Sequence, residues 1–265
     1  ALAQASHHCR HRSAFGGRLS EQPLMQNVLA DLALESEAAL AYTMRIAKSL
    51  DSQHLEHERL LARLATPVGK YWICKRTPNH AYEAMECIGG SGVMEDCIMP
   101  RLLRESPVNA IWEGSGNVQC LDTLRALQKE PETLDAFFKE AAEAKGTDSR
   151  FDQYLAQLQH DFADISDFQY RARNLVDRLA LLMQSSLLLR NSDPAVADAF
   201  CASRLGPSAE GVFGALDGGD LAAVVAPPPP PVEYRLVSSA NKACAALREL
   251  AASPEPVGLD IETSG

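Results

Sequence analysis

Pro23-Leu24-Met25-Gln26-Asn27-Val28-Leu29-Ala30-Asp31-Leu32-Ala33-Leu34 is the stretch whose reading decides the fold. Proline is favoured at the first position of a helix, where no backbone donor is lost. Behind it Leu24, Val28, Leu32, Leu34, Ala38, Ala41 and Ile46 recur at helical spacing. The pattern predicts a helix from residue 23 to about residue 49, with an apolar stripe broad enough to need helical neighbours.

Those neighbours are legible on both sides. Upstream, Ser13 to Leu19 reads as a turn, preceded by a helix end with a basic face. His7, His8, Cys9 and His11 in that end match no metal-finger spacing. Downstream, a second helix is expected over roughly 53–65 and a third from Pro67 to Glu86, stopped by Gly89-Gly90-Ser91-Gly92. A helix over 118–127 carries Val118, Leu121, Leu124 and Leu127 on one face, and a short one carries Leu134, Phe137, Phe138 and Ala142. The longest expected helix covers about 150–189, with Leu155, Leu158, Phe162, Ile165, Ala172, Val176, Leu179, Leu182 and Met183 as its stripe. Pro194 opens another, to about residue 205. Long apolar-striped helices in series imply antiparallel packing and an all-α fold.

Pro227 to Pro231 is a run that neither a helix nor a central strand accepts. After it the pattern changes. Val232 to Val237 and Val257 to Glu262 read as strands, with a helix over Asn241 to Ala251 between them. This is too little to bury a core alone. It reads as the opening of a larger domain.

Apolar residues make up 46% of the 265, enough for a sizeable core. With a net charge of -10 the chain is a poor general nucleic-acid binder, although a local basic patch is compatible with that sum. No apolar run reaches membrane-spanning length. Seven scattered cysteines without a Cys-x-x-Cys pair point to reduced thiols and a cytoplasmic setting. The chain starts with neither a signal peptide nor a methionine, and reads as the middle of a longer one.

Chemistry gathers at Ile111-Trp112-Glu113-Gly114-Ser115-Gly116-Asn117-Val118-Gln119. Glu113 stands on a glycine-rich turn just before a helix that Ser115 or Asn117 can cap. A carboxylate so placed is either a capping-loop acid facing water or a general base. Arg12, with a fork that matches phosphate oxygens, and the Gly89-Gly90 turn, which lets backbone amides approach a ligand, suit a pyrophosphate. Read alone, Arg12 could equally cap a helix and the glycines simply stop one.

Several stretches, in order and correctly spaced, resemble the C-terminal part of the acyl-CoA dehydrogenases, and more narrowly the bacterial adaptive-response branch, the AidB-type flavoproteins. They are Arg12-x-x-Phe15-Gly16-x-x-Leu19, Pro23-Leu24-Met25, Ala84-Met85-Glu86-Cys87-Ile88-Gly89-Gly90-Ser91-Gly92, Met99 to Asn109, and Ile111 to Asn117. The resemblance spans about residues 1–220. It implies the family's C-terminal four-helix bundle over 1–128 and additional helices of the branch over 129–225, with FAD as cofactor and an acyl-CoA thioester as substrate. By resemblance Arg12 and Phe15 touch the pyrophosphate and adenine side of a flavin held mainly by a neighbouring subunit, so a dimer or tetramer is implied. Glu86, Gly89 and Gly90 match the turn packed on the ADP part, although many relatives carry Gln at the position of Glu86. Ser115 and Asn117 match positions beside the flavin, and Glu113 matches the base that removes the α proton while the β hydride passes to flavin N5. The family's other two domains are missing from these residues, so this segment alone is expected to lack competent chemistry. The branch is also associated with double-stranded DNA, for which Arg171, Arg173, Arg178, Arg190 and Arg204 are the candidates, with Asp177, Asp193 and Asp198 against them.

The last residues, Val257-Gly258-Leu259-Asp260-Ile261-Glu262-Thr263, resemble the first motif of DEDD-type 3′-5′ exonucleases. Asp260 and Glu262, two apart on a strand, face one way and suit Mg2+ or Mn2+ in a complete domain. The expected organisation is thus 1–128, 129–225, a proline linker at 226–231 and a truncated exonuclease-like start at 232–265. The leading reading is a fragment of a flavin-dependent dehydrogenase. The alternatives are a DNA-binding helical module and a truncated nuclease fusion.

Overall fold

Eleven α-helices account for nearly all the regular structure in the computed structural model, which describes residues 1–163, 167–206, 213–216 and 220–225. They are α1 (Leu2–His11), α2 (Pro23–Asp51), α3 (Glu56–Ile88), α4 (Gly90–Val93), α5 (Met99–Asn109), α6 (Gly116–Lys129), α7 (Glu132–Ala141), α8 (Ser149–Asp161), α9 (Phe168–Asn191), α10 (Pro194–Arg204) and α11 (Leu221–Val224). Between α1 and α2 the expected turn is a two-residue antiparallel hairpin, β1 (Ser13–Ala14) with β2 (Gly17–Arg18). Pro23 opens α2 as expected, and Leu29, Leu32, Leu34, Ala38 and Tyr42 form its inner face. Leu24, the first residue of the expected stripe, is instead 83% exposed.

Two expectations about helix limits are corrected. The helices read over 53–65 and 67–86 are one 33-residue helix, α3, which runs through Pro67 and Pro78. An interior proline costs about 3 kcal/mol in an isolated helix. Here α3 touches α1, α2, α5, α6, α7 and α9, and its burial outweighs that cost. Each proline follows a threonine whose hydroxyl donates to the carbonyl four residues back, Thr66 to Ala62 and Thr77 to Ile73. Conversely, the single helix expected over 150–189 is two. Asp167, in the left-handed region at φ 54°, precedes α9. Phe162 and Phe168, at either side of the break, bring their rings within 6.1 Å. Leu155, Leu158, Phe162, Ala172, Val176, Leu179, Leu182 and Met183 of the expected stripe are buried, but on either side of the break, and Ile165 lies outside the described residues.

The described residues lie in one unit, Ala1–Ala226. Its main core joins Tyr42, Leu64 and Val68 to Leu124, Phe137, Phe151, Leu158, Leu175 and Leu179. A second cluster sets Leu34 and Ala38 of α2 against Leu188 and Phe200. A third holds Ala5 and Cys9 of α1 on Leu29, Leu32, Ala84 and Met99. At Gly69 the backbone of α3 comes so near α2 that a Cβ would meet Tyr42 at 2.5 Å, and the Tyr42 hydroxyl donates to the Ala65 carbonyl at 3.1 Å. All six cysteines among the described residues are free. No helix among them is long and apolar enough to cross a membrane. The proline run and everything from 232 to 265, with Asp260 and Glu262, lie outside the described residues.

Buried charge ties the later helices to the earlier ones. Arg45 of α2 donates to Glu58 of α3 and, at 2.8 Å, to Glu140 of α7. Arg190 of α9 reaches Glu140 at 2.8 Å and also pairs with Glu143. Burial alone would raise the Glu140 carboxyl, but the two guanidinium groups outweigh it and hold the pKa at about 2. A second set joins Asp31 and Glu35 of α2 to Arg204 of α10 and Arg76 of α3. Glu140→Gln leaves two buried arginines short of counter-charge and is expected to cost about 3 kcal/mol of stability at neutral pH. Because the native pKa is depressed, the contribution of Glu140 is complete above its ordinary value near 4.5 and is lost as pH falls towards 2. Urea midpoints measured from pH 7 to pH 3 should therefore converge for wild type and variant as the pH falls.

Candidate functional site

Glu113 sits at the apex of the turn between α5 and α6, and its side chain is exposed. Its φ is 54°, a conformation that costs a residue with a side chain roughly 1–2 kcal/mol. Gly114 follows at φ 107°, and a Cβ there would lie 2.7 Å from the Gln119 side-chain nitrogen. The expected helix over 118–127 begins earlier, at Gly116, and runs to Lys129. Ser115 is its N-cap residue, but the side chain makes no capping bond. Asn117, the other candidate cap, accepts instead from Arg173 Nε of α9 at 2.9 Å. Gly116 packs on α3, where a Cβ would come within 3.3 Å of Tyr71 and Lys75.

The three carbonyls around Glu113 are all bound by side chains. Lys70 Nζ donates to the Trp112 carbonyl at 2.9 Å and to that of Gly114 at 2.8 Å. Gln119 Nε2 donates to the carbonyl of Glu113 at 2.9 Å. Ile111 and Trp112 are 64% and 58% exposed, so the carboxylate is flanked by uncovered apolar surface. Beneath α6, Asp177 of α9 lies beside Tyr71, Arg173 and Lys75, and burial pushes its carboxyl up to about 6. Lys70, Gln119 and Asp177 escaped the sequence reading as site residues. Lys70 is 42 residues from Trp112, and no local pattern joins them.

The second group of candidates lies elsewhere on α3. Arg12 caps α1 through its backbone N–H, which bonds the His8 carbonyl. Phe15, at φ 54° and 91% exposed, forms the tip of the hairpin with Gly16. The C-terminal half of α1 rests on the last turns of α3, with Cys9 Sγ 3.8 Å from the Cys87 carbonyl. Glu86 is exposed there, and Gly89 closes α3 at φ 73°. Nothing lies within 4 Å of where a Cβ would stand on Gly89 or Gly90, so that backbone is open to approach. A hollow of about 270 Å³ beside it is lined by Gln4, His7, His8, Ile88, Ser91, Asp96 and Cys97.

Helix geometry sets the spacing of the two groups. From Lys70 to Cys87 is about 25 Å along α3 at 1.5 Å per residue. The structure thus brings Ser115 and Asn117 to Glu113, and brings the α1 end that carries Arg12 to Glu86, Gly89 and Gly90, but it keeps the two sets at separate stations. The arginines considered for duplex binding are engaged. Arg178 pairs with Asp161, Arg190 with Glu140 and Glu143, and Arg204 with Asp31 and Glu35. Arg171 donates to the Asp161 carbonyl and Arg173 to Asn117. A phosphate would have to displace those partners. Among the described residues no three metal-ligating side chains converge.

Residues 1–128 match the family model for the C-terminal domain of acyl-CoA dehydrogenase. The chain is 40% identical over 201 residues to the putative acyl-CoA dehydrogenase AidB of Escherichia coli, covering 76% of this chain and 37% of that protein. It is 29% identical over 194 residues to acyl-CoA dehydrogenase family member 11 of Caenorhabditis elegans, covering 68% and 31%. The crystal structure of C. elegans ACDH-11 in complex with C11-CoA is similar with a TM-score of 0.70 at 26% identity, over 77% of this chain and 39% of that one. An acyl-CoA dehydrogenase from Bacillus anthracis complexed with FAD shares the fold, with a TM-score of 0.58 at 18% identity, over 77% and 42% of the two chains. The all-α architecture is therefore that of the acyl-CoA dehydrogenase C-terminal helical bundle. The chain spans about a third of the length of the curated relatives it matches.

The Asp177 carboxyl offers a test of how α6 is seated. Its native pKa is raised above the ordinary 3.8 to about 6, so ionisation opposes folding as pH climbs through that interval. Asp177→Asn should match wild type near pH 4 and become the more stable of the two by pH 7, as read from urea midpoints. Equal midpoints at both pH values would show that the carboxylate is not desolvated.

Proposed function

Since residues 1–128 form an acyl-CoA dehydrogenase-like C-terminal domain, in a chain related to AidB-type proteins, we propose that this is the base-bearing helical part of an FAD-dependent oxidoreductase acting on the CH–CH bond next to an acyl-CoA thioester. The observation that carries this reading is the presentation of Glu113. Its backbone carbonyl and those on either side are bound back into the protein, and its side chain is exposed at the apex beside the uncovered Ile111 and Trp112. The thioester carbonyl acidifies the α carbon, and Glu113 accepts the α proton. When bound, the flavin supplies the acceptor for the β hydride. Ser115 and Asn117 would then flank the flavin, with Asn117 oriented by Arg173.

The second station fits the phosphate side of such a cofactor. Arg12 has no ion pair among the described residues, and the Gly89-Gly90 backbone is open. The exposed Glu86 fits less well, because a carboxylate repels a phosphate. A pyrophosphate and the isoalloxazine of one flavin are joined by a short ribityl arm, whereas the two stations stand about 25 Å apart along α3. Two copies of the chain would therefore share each cofactor, one giving Glu113 and the other Arg12, which supports a homo-oligomer.

A base working on a weakly acidic carbon needs water kept out. Ile111, Trp112 and Glu113 face solvent in this chain. Other segments would have to cover them, so the 265 residues alone are expected to be colourless and inactive. The test uses the protein translated from the whole reading frame that contains these residues. Wild type should show a flavin absorption band and oxidise butyryl- or isovaleryl-CoA. Glu113→Gln should keep the band and lose turnover by roughly 10²–10⁴-fold. Undiminished turnover in that variant would place the base elsewhere.

A further inference from the structure

The turn that carries Glu113 has no backbone ladder of its own. Among the described residues, no backbone-to-backbone hydrogen bond is donated by residues 113–115 or accepted by the carbonyls of 112–114. The chain is nonetheless held there in a left-handed conformation that Glu113, with its side chain, would leave if free to do so. What holds it are two side chains from different helices. The Lys70 ammonium, from the middle of α3, binds the first and third carbonyls, and the Gln119 amide, from the first turns of α6, binds the second.

We propose that Lys70, assisted by Gln119, is a positioning residue for Glu113: one ammonium joins the Trp112 and Gly114 carbonyls and so locks the turn between them with its carboxylate outward. The inference rests on the reading of Glu113 as the base. The chemistry of the lysine fits the task. An ammonium has three donors on one atom, so a single group bridges two carbonyls that converge on it. In a chain with more acids than bases, Lys70 has no carboxylate partner among the described residues, and its hydrogen bonds go to these two neutral acceptors. Gly114 is part of the same device. Its φ of 107° lets the third carbonyl turn towards Lys70, and the space its Cβ would need is taken by the Gln119 amide. Lys70 also belongs to the turn of α3 that supplies Tyr71 beneath Gly116, so the lock and the seat of α6 come from one rigid element.

The direct test is the backbone mobility of Glu113 and Gly114 in the 265-residue chain, by 15N relaxation, in wild type, Lys70→Met, Lys70→Arg and Gln119→Leu. The wild-type order parameters should lie near the rigid value of about 0.85 and fall below about 0.6 in Lys70→Met. Lys70→Arg, whose fork can also reach two carbonyls, should restore most of the rigidity, and Gln119→Leu should show a smaller loss. Urea midpoints should move little, which separates loss of the lock from loss of the fold. Should Lys70→Met not fold, Gln119→Leu carries the test alone, and an unchanged turn in that variant overturns the proposal. In the whole-frame protein Lys70→Met should lower kcat at least tenfold with KM and flavin content nearly unchanged. If Lys70→Met leaves both the order parameters and kcat at wild-type values while Glu113→Gln abolishes turnover, the positioning role is wrong and the base assignment stands. If Lys70→Met loosens the turn but Glu113→Gln turns over normally, the lock is real and the functional reading has failed.

Discussion

The continuity of α3 through Pro67 and Pro78 is the constraint on which the rest of the molecule depends. Each proline removes one backbone bond from the helix, and nothing in the local sequence makes good the loss. Continuity is a tertiary effect. Leu61, Leu64, Ala65 and Val68 are buried ahead of and beyond the first proline, and Ala81, Ala84 and Met85 beyond the second. Because α3 is one rod, it can present Lys70, Tyr71 and Lys75 to the Glu113 turn and, several turns later, Ala84 and Cys87 to α1. The distance between the two stations is a property of that rod.

Charge is used inside the bundle as much as on it. Glu140 is only 4% exposed in its side chain, yet it serves Arg45 and Arg190 together. Arg204 likewise serves both Asp31 and Glu35. Each set binds α2 to helices far along the chain. Such pairs contribute little if judged against an apolar alternative, but they admit one arrangement of the helices and penalise others. The Arg76 guanidinium shows how closely this is combined with packing, since it lies 5.1 Å from the ring centres of both Trp72 and Phe213 while bonded to Glu35.

Sequence patterns carried the helical class, because an apolar residue recurring on one face has few uses other than burial. They placed the end of α2 and both ends of α6 to within two residues, and α10 to within one. They failed where local preference and tertiary context disagreed. Pro67 was read as a helix start and lies inside one, while the stripe from Leu155 to Met183 concealed a break, because apolar spacing alone does not report where one helix ends and the next begins. At the candidate site the acid and its glycines were legible, since Gly114 stands where the backbone needs a positive φ. Its supports were not. A lysine forty-two positions away gives no sign of its acceptors, and Asp177 read as an ordinary surface acid until burial beside Tyr71 was visible.

The way the main core is shared has a consequence for how this chain can be divided. The match to the dehydrogenase domain ends at residue 128, but Leu64 and Val68 before that point are packed in one cluster with Phe137, Phe151 and Leu175 after it. Ending translation there would strip the apolar cover from one side of α3 and α6 and leave Arg45 without Glu140. The end of the family-model match is therefore not a cooperative folding boundary, and the helices on its two sides hold one another in place.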